Sequence, residues 1–331
     1  MKISNVQINK QQIQKVADVI KNMPLGDSGL NFYSFKKGDT EIIASDMYPS
    51  LNNPKTTDFF SFACLHQFGF WHGNKDGYEK PLIGIKTGKE SKGSDLLWKS
   101  LKSALDKDES VFDPNNLANM SEEKLAHEVF IDDNGTIPFK DFYRRLEITR
   151  AYGKWLEENK TNPKQIVEVS NNTDAPLKSF LDTMQQIPGF SQDPLKKKSL
   201  LLAMTLANRP EKFLNAKDPE NWQPILDYHL MRLALRMGLV EIKDGKERTL
   251  NENRMWANHE SEQIIRKAAY EAVQELIQLS GKPMSFVDNV MWMARRYCPE
   301  MTEPECPKCI FSIPCKKNTK LFQPVLRTID Y

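Results

Sequence analysis

Residues 298–315 read CPEMTEPECPKCIFSIPC, and this stretch says more about the fold than any other part of the chain. It contains four of the five cysteines, Cys298, Cys306, Cys309 and Cys315, in the spacing C-x7-C-x2-C-x5-C. The interleaved prolines favour a compact loop. Four thiolates in so short a run are typical of a soft-metal site, which holds either one tetrahedral zinc ion or an iron–sulfur cluster. The uneven spacing differs from the two tight CxxC pairs of a zinc ribbon and favours the cluster.

The 331-residue chain is nearly balanced in charge, with 46 basic and 44 acidic residues and a net charge of +2. Proteins that mainly bind duplex DNA carry a stronger basic excess, because phosphate neutralisation drives that binding. The N-terminal residues lack the apolar core of a signal peptide, and no apolar run reaches membrane-spanning length. Since a metal-binding cysteine loop needs reduced thiols, we expect a cytoplasmic protein with no membrane partner.

Helical periodicity dominates the sequence. Apolar residues recur at helical spacing over residues 13–23 and, from residue 94 onward, in one segment after another. Short β-like pieces lie between these parts, and the turn-prone residues 74–77 precede an extended piece at 82–86. The polar stretch 159–174 is typical of a linker. The pattern predicts a mainly α protein with a small N-terminal β element.

We expect four consecutive segments. Residues 1–110 form an N-terminal lobe that contains both α and β structure, and residues 111–297 form a helical core. The cysteine loop occupies residues 298–316. Residues 317–331 form a C-terminal tail that packs back on the core.

Two segments ahead of the cysteine loop complete a pattern. Residues 187–190, IPGF, form a tight turn between predicted helices, and residues 226–240 read LDYHLMRLALRMGLV. Together the three segments resemble the helix-hairpin-helix DNA glycosylase superfamily. Its hairpin reads roughly L-P-G-x-G, its catalytic aspartate lies in V-D-T-H-x-x-R-x-x-x-R-L-G-L, and its cluster loop is one residue shorter than this one. The resemblance implies a two-lobed helical glycosylase-like fold and a 4Fe–4S cluster on the four cysteines, with zinc as the alternative.

Asp227 is the candidate catalytic residue. Cleavage of an N-glycosidic bond builds positive charge on the sugar, and a carboxylate fixed beside the anomeric carbon stabilises that charge and orients a water molecule. The position also suits the N-cap of the helix that follows, and the two roles are compatible. Under the resemblance, the motif positions of the superfamily are occupied by Asp227, His229, Arg232, Arg236 and Gly238.

A second resemblance covers nearly the whole chain. Residues 57–71, TDFFSFACLHQFGFW, and residues 93–105, GSDLLWKSLKSAL, are similar to segments of the queuosine salvage protein family, the queuosine 5′-phosphate N-glycosylases/hydrolases. Asp227 and Tyr228 match the A-D-Y-R motif of that family, and residues 326–331 match its R-T-x-x-Y-Y ending. The resemblance implies hydrolysis of a modified nucleotide, with release of a 7-deazaguanine-type base such as queuine.

The same resemblance implies the residues of a nucleotide site. Asp227 is the catalytic residue, and the substrate is bound by Phe70, Trp71, Lys197, Tyr228 and Asp288. The two aromatic residues are expected to stack on the base, although ordinary core packing accounts for them nearly as well. The family members compared lack a cysteine loop, and Asn289 and Met293 replace a tyrosine and an aspartate. These departures concern the identity of the base more than the type of reaction.

Three functions are open. The first is an N-glycosidase that acts on a small nucleotide in queuosine salvage, and the second is an iron–sulfur DNA glycosylase of base excision repair that flips a damaged base into its pocket. The third is a non-catalytic nucleic-acid-binding module. Near-neutral charge and end-to-end similarity favour the first, the cysteine loop and hairpin favour the second, and Asp227 weighs against the third. We expect no lyase activity from Lys197 or Lys198, because a run of lysines is most often a solvated face.

Overall fold

The computed structural model describes residues 5–25, 30–37 and 41–331, and helices make up most of the regular structure in these residues. This confirms the prediction of a mainly α protein. A short π-helix over Leu125–Val129 follows α5, and 3-10 turns cover Pro219–Asn221, Arg295–Tyr297 and Cys306–Lys308. The helices are α1 (Lys10–Lys21), α2 (Thr56–Leu65), α3 (Ser94–Lys107), α4 (Pro114–Ala118), α5 (Glu122–Lys124), α6 (Phe142–Glu158), α7 (Pro163–Asn171), α8 (Pro176–Met184), α9 (Lys197–Asn208), α10 (Tyr228–Met237), α11 (Lys246–Glu252), α12 (His259–Ser280) and α13 (Met284–Ala294).

The strands are short, and those of the described residues pair into four two-stranded sheets. The turn-prone residues 74–77 join the strand Trp71–Gly73 to the strand Tyr78–Pro81. The extended piece predicted at 82–86 forms the strand Ile83–Lys86, which pairs forward with Lys89–Lys92 in an antiparallel hairpin. All strands but one lie in the first 92 residues, which confirms the small N-terminal β element. The pairs are β1 (Val6–Ile8) with β8 (Val240–Ile242), β2 (Ser34–Lys37) with β3 (Glu41–Ala44), β4 (Trp71–Gly73) with β5 (Tyr78–Pro81), and β6 (Ile83–Lys86) with β7 (Lys89–Lys92).

The described residues divide into two compact units of interleaved segments. The first unit contains residues 5–25, 72–80 and 223–327, and the second contains the other described residues up to 222 together with 328–331. The predicted division into four consecutive segments stays a prediction. No helix in the described residues is long and apolar enough to cross a membrane.

The core of the first unit is built around α10 and α12. α1 packs on α12, and its buried stripe of Ile13, Val16 and Ile20 is the one that the periodicity predicts. β1 pairs with β8, which follows α10 directly, so that the start of the chain is tied to the end of α10. Gln12 adds a buried side-chain hydrogen bond, in which its Nε2 donates to the Met237 carbonyl at 2.9 Å.

The core of the second unit is built around α2. Nearly every residue of this helix is buried, and it contacts α3, α6, α7 and α9. Its aromatic residues pack on one another, with the Phe59 and Phe60 rings 5.1 Å apart and the Phe62 and Phe112 rings 4.9 Å apart. A helix that is apolar on every side belongs in the middle of a core.

The predicted linker at 159–174 is wrong, because α7 lies within it. Asn162 caps this helix: its side chain accepts a hydrogen bond from the Gln165 backbone N–H, and the Gln165 side chain accepts one from the Asn162 backbone N–H. Pro163 occupies the first turn, where its missing N–H costs nothing. A capping box and a favourable proline therefore outweigh the polar composition.

The hairpin turn between α8 and α9 is present. Gly189 has a φ of +89°, and a Cβ added there would lie 2.2 Å from Leu65 Cδ1. The backbone conformation therefore favours glycine at this position, and a Cβ there would also force the Leu65 side chain to shift. At the start of α3, Gly93 holds the N-cap position with a φ of +55°, and Ser94 is the first residue of the helix.

Candidate active site and cysteine loop

Asp227 lies at the N-terminus of α10, as the sequence predicts for a capping residue. Its Oδ1 accepts a hydrogen bond from the Leu230 backbone N–H at 2.9 Å. The side chain is half-buried, because the preceding residues Ile225 and Leu226 enter the core. Within the described part of the chain, the second carboxylate oxygen accepts no hydrogen bond. One oxygen thus fixes the group on a rigid helix while the other stays available for chemistry.

Tyr228 follows Asp227 and is buried, with 6% of its surface exposed. Burial, and then the negative charges of Glu300 and Asp227, raise the pKa of its phenol well above the usual range. Tyr228 is therefore a neutral hydrogen-bond donor at any physiological pH. Its ring lies 4.2 Å from the imidazole of His229, centroid to centroid.

Arg232 connects the first turn of α10 to the cysteine loop. Its side chain is 1% exposed, and its Nη2 lies 3.0 Å from His229 Nδ1. Its Nε donates to the Cys298 carbonyl at 3.4 Å, and its Nη1 donates to Gln323 Oε1 at 3.1 Å. The same Nη1 is 3.8 Å from Glu300 Oε1, in an ion pair whose carboxylate is also 1% exposed.

The C-terminus of α10 touches the cysteine loop as well. Arg236 Nη1 donates to Cys298 Sγ at 3.3 Å and to the Pro299 carbonyl at 2.9 Å, and Nε donates to the Leu321 carbonyl at 2.8 Å. Gly238 ends the helix with a φ of +78°. The two arginines matched to the glycosylase motif therefore both hold the loop and the tail behind it.

The four cysteines of the loop line one cavity. Its other walls are largely apolar and include Leu233, Met237 and Phe311, and all four cysteines Cys298, Cys306, Cys309 and Cys315 lie around it. Backbone N–H groups point at two of the sulfurs: that of Lys317 donates to Cys315 Sγ at 3.3 Å, and that of Phe311 donates to Cys309. Burial raises the pKa of both these thiols.

This donor set suits a cluster bound by thiolates. Backbone N–H groups and the Arg236 cation would offset the negative charge of thiolate ligands, and apolar walls would shield them from water, which is compatible with iron–sulfur ligation. As the described residues stand, however, no group of three or more His, Cys, Asp or Glu side chains could hold a metal ion. The nature of the cofactor therefore stays a prediction.

Asp288, the last predicted site residue of the first unit, lies in α13 and is 7% exposed. Its neighbours Val287 and Met291 on the same helix are buried completely. Met293, which replaces a family aspartate, is 41% exposed on the same helix. A substrate contact of Asp288 stays a prediction.

Phe70, Trp71 and Lys197, the remaining predicted contacts, belong to the second unit. Phe70 is 5% and Trp71 6% exposed. Such burial agrees with ordinary core aromatics and with the inner wall of a narrow pocket alike. Lys197 is buried, and its Nζ donates to the Gln67 carbonyl at 2.8 Å.

The C-terminus of α2 is surrounded by buried cations, a feature that the sequence analysis missed. Lys198 Nζ donates to the Leu65 carbonyl at 3.3 Å, and Arg145 donates to the His66 and Phe68 carbonyls. Cations in these places offset the partial negative charge of a helix C-terminus. The expected solvated lysine face is therefore wrong, because Lys197 and Lys198 cap α2 from inside the unit.

Burial, followed by the charge of Lys197, lowers the pKa of Lys198 to about 7. His66 in the same place is buried completely, and burial, followed by the charges of Arg145 and Lys198, lowers its pKa well below the usual range. His66 is therefore neutral, and its Nε2 lies 3.1 Å from Thr149 Oγ1. His66 itself, four residues after Phe62 in an aromatic segment, was the one sequence signal for this group of buried cations.

Comparison with known proteins adds a family match. The family model described as queuosine salvage protein matches residues 47–199, somewhat less than half of the chain. No curated protein matches. Among solved structures, a trapped endonuclease III–DNA covalent intermediate in an estranged-adenine complex is similar, with 13% identity over 95% of this chain and 99% of that chain and a TM-score of 0.49. A likeness at this level carries no argument about activity.

The matched range contains Phe70, Trp71 and Lys197, and it ends before Asp227. Apart from residues 72–80, the family match therefore lies in the second unit, whereas the candidate catalytic residue and the cysteine loop belong to the first.

Proposed function

We propose that this protein hydrolyses the N-glycosidic bond of a nucleoside 5′-phosphate that carries a 7-deazaguanine-type base, in queuosine salvage. The match of residues 47–199 to the queuosine salvage family is the observation that carries the proposal. The near-neutral charge of the chain agrees with a small nucleotide as the partner. Queuosine 5′-phosphate is the substrate to test first.

In this mechanism Asp227 supplies the charge that the reaction needs. As the base leaves, the sugar becomes oxocarbenium-like, and the carboxylate oxygen not engaged by Leu230 stabilises it or accepts a proton from the attacking water. The capping bond holds the group in place, so little reorganisation is needed at the moment of reaction. Tyr228, kept neutral by burial, donates a hydrogen bond to substrate or water.

We also propose that Cys298, Cys306, Cys309 and Cys315 hold a 4Fe–4S cluster, with zinc as the alternative. The shared cavity, the N–H groups aimed at the sulfurs and Arg236 beside Cys298 support this proposal. When bound, the cluster joins four points of the loop through metal–thiolate bonds. The residues of α10 would then be held at both ends of the helix. Because the four cysteines must be reduced to bind the cluster, we expect a reducing compartment such as the cytoplasm.

Metal analysis of protein purified without oxygen tests the cofactor. We expect about four iron and four sulfide per chain, together with visible absorbance. Cys306→Ser should abolish both, whereas Cys64→Ser should leave them unchanged, because Cys64 is buried in the second unit. One zinc per colourless chain would contradict the cluster and support the alternative.

An iron–sulfur DNA glycosylase of base excision repair is the second candidate, and the cysteine spacing together with the Pro188-Gly189 turn favours it. Both candidates are tested in one experiment, in which the full-length protein is incubated with queuosine 5′-phosphate or with lesion-containing duplex DNA. Free base is measured by chromatography and mass spectrometry. Release from the nucleotide alone supports the first function, and release from the duplex alone supports the second.

A further inference from the structure

Building on the proposed function, we propose that Glu300 is a positioning residue for Asp227. The carboxylate comes from the cysteine loop, two residues after Cys298, and its Oε1 lies 3.8 Å from Arg232 Nη1, whose guanidinium also meets His229 in the first turn of α10. It fixes this turn through Arg232, Tyr78 and Tyr228. The loop thereby contributes to catalysis through a side chain that is not a metal ligand.

Burial separates Glu300 from the other acidic residues of the loop. Glu300 is 1% exposed, whereas Glu303 and Glu305 are exposed, and Glu305 forms a surface ion pair with Lys308. A carboxylate is rarely buried this far without partners of its own. The neighbours of Glu300 therefore explain why it lies inside.

Arg232 is the first of these neighbours, with its Nη1 3.8 Å from Glu300 Oε1. The guanidinium also contacts His229, a half-buried residue in the first turn of α10. An arginine presents its donors in a rigid plane. The Glu300 carboxylate on one side therefore sets the orientation of the Arg232 guanidinium that His229 contacts on the other. Glu300 and His229 are thus joined through one side chain.

Two buried tyrosines are the other neighbours. Tyr78, next to the turn between β4 and β5, is buried, and burial followed by the negative charge of Glu300 raises the pKa of its phenol. Tyr228 lies within the electrostatic reach of both Glu300 and Asp227. Tyr228, which follows the candidate catalytic Asp227, therefore has two acidic neighbours, Asp227 itself and Glu300 of the cysteine loop.

The charge of Glu300 is what this arrangement uses. Replacement by glutamine keeps the size and hydrogen-bonding capacity but leaves the Arg232 cation buried beside a neutral group. The guanidinium should then shift towards other acceptors and release the first turn of α10. A displacement of about 1 Å at a catalytic group lowers rates by roughly 100-fold.

The test compares Glu300→Gln with Glu303→Gln in the full-length protein. We expect Glu300→Gln to lower kcat by about 10- to 100-fold with KM changed less than about 3-fold. Visible absorbance per chain should stay close to that of the wild type at the assay temperature, whereas the melting temperature should fall because the buried Arg232 cation loses its counter-charge. Glu303→Gln should behave as the wild type throughout. An unchanged kcat in Glu300→Gln would overturn the proposal. So would a fall in kcat that is proportional to a fall in visible absorbance, because the loss would then come from a missing cluster.

Hydrogen–deuterium exchange provides a readout that needs no substrate. We expect the amides of residues 228–231 to exchange about 10-fold faster in Glu300→Gln, while those of α12 keep the rate of the wild type. Equal exchange in the first turn of α10 would overturn the positioning role even if the protein acts on no nucleotide. Failure of the wild type to release base, with faster exchange in the variant, would refute the proposed function alone.

Discussion

At the scale of single residues, most buried charges of this protein are tied to backbone carbonyls or to one another. Arg145, Lys197 and Lys198 hold the carbonyls at the end of α2, and Arg232 and Arg236 hold those of the cysteine loop. A buried carbonyl and a buried cation each cost free energy when they have no partner. Each of these contacts removes both costs at once and so stabilises the fold. His66, in contrast to these cations, is buried in its neutral form.

His66 should make stability depend on pH. Its folded-state pKa is depressed, so the unfolded chain takes up a proton below about pH 6.5 while the folded chain does not. The free energy of unfolding should therefore fall as pH falls, by up to about 1.4 kcal/mol per pH unit below that value. Urea unfolding of the wild type and His66→Gln between pH 7.5 and 5.5 measures this. A wild type and variant with equal pH slopes would contradict the account, and His127→Gln, at an exposed site, is the control.

At the scale of elements, α10 carries the candidate site. Its N-terminal end is capped by Asp227 and its C-terminal end is held by Arg236 against the cysteine loop. The sequence predicted this helix, its cap and its arginines, because capping and motif spacing are local properties. It did not predict Glu300, since nothing in the sequence separates a buried glutamate from its exposed neighbours Glu303 and Glu305. Burial depends on packing between distant segments, which local patterns do not contain.

The contact between α4 and α6 offers a second test at this scale. Gly153 lies within α6, and a Cβ added there would be 2.2 Å from the Ala118 backbone N. An exchange of glycine for alanine inside a helix is normally stabilising by about 1 kcal/mol. Here the overlap with backbone should reverse the sign, and we expect Gly153→Ala to destabilise the protein by about 1–3 kcal/mol.

Thermal or urea unfolding measures this change. Lys154→Ala, at the next and exposed position of the same helix, is the control and should leave stability within about 0.5 kcal/mol. A stabilised Gly153→Ala protein would show that the two helices are not in close contact.

At the scale of the whole molecule, the predicted site residues come from both units. Phe70, Trp71 and Lys197 lie in the unit that contains most of the family match, and Asp227, Tyr228 and Asp288 lie in the unit that contains the cysteines. The mainly helical class followed from the periodicity, and a two-lobed fold was implied by the resemblance to the glycosylase superfamily. The interleaving of the units could not be predicted in this way. Residues 72–80 and 328–331 each belong to a unit whose other segments are distant in sequence.

The most direct test of the central claim is the release of base from queuosine 5′-phosphate by the wild type, Asp227→Asn and Asp244→Asn. Asparagine keeps the helix cap, so the first variant isolates the charge of the carboxylate, while Asp244 is 99% exposed and is the control. We expect Asp227→Asn to lower kcat by about 1,000-fold while Asp244→Asn keeps the rate of the wild type. Equal rates of release from the wild type and Asp227→Asn, or no release by the wild type, would contradict the account.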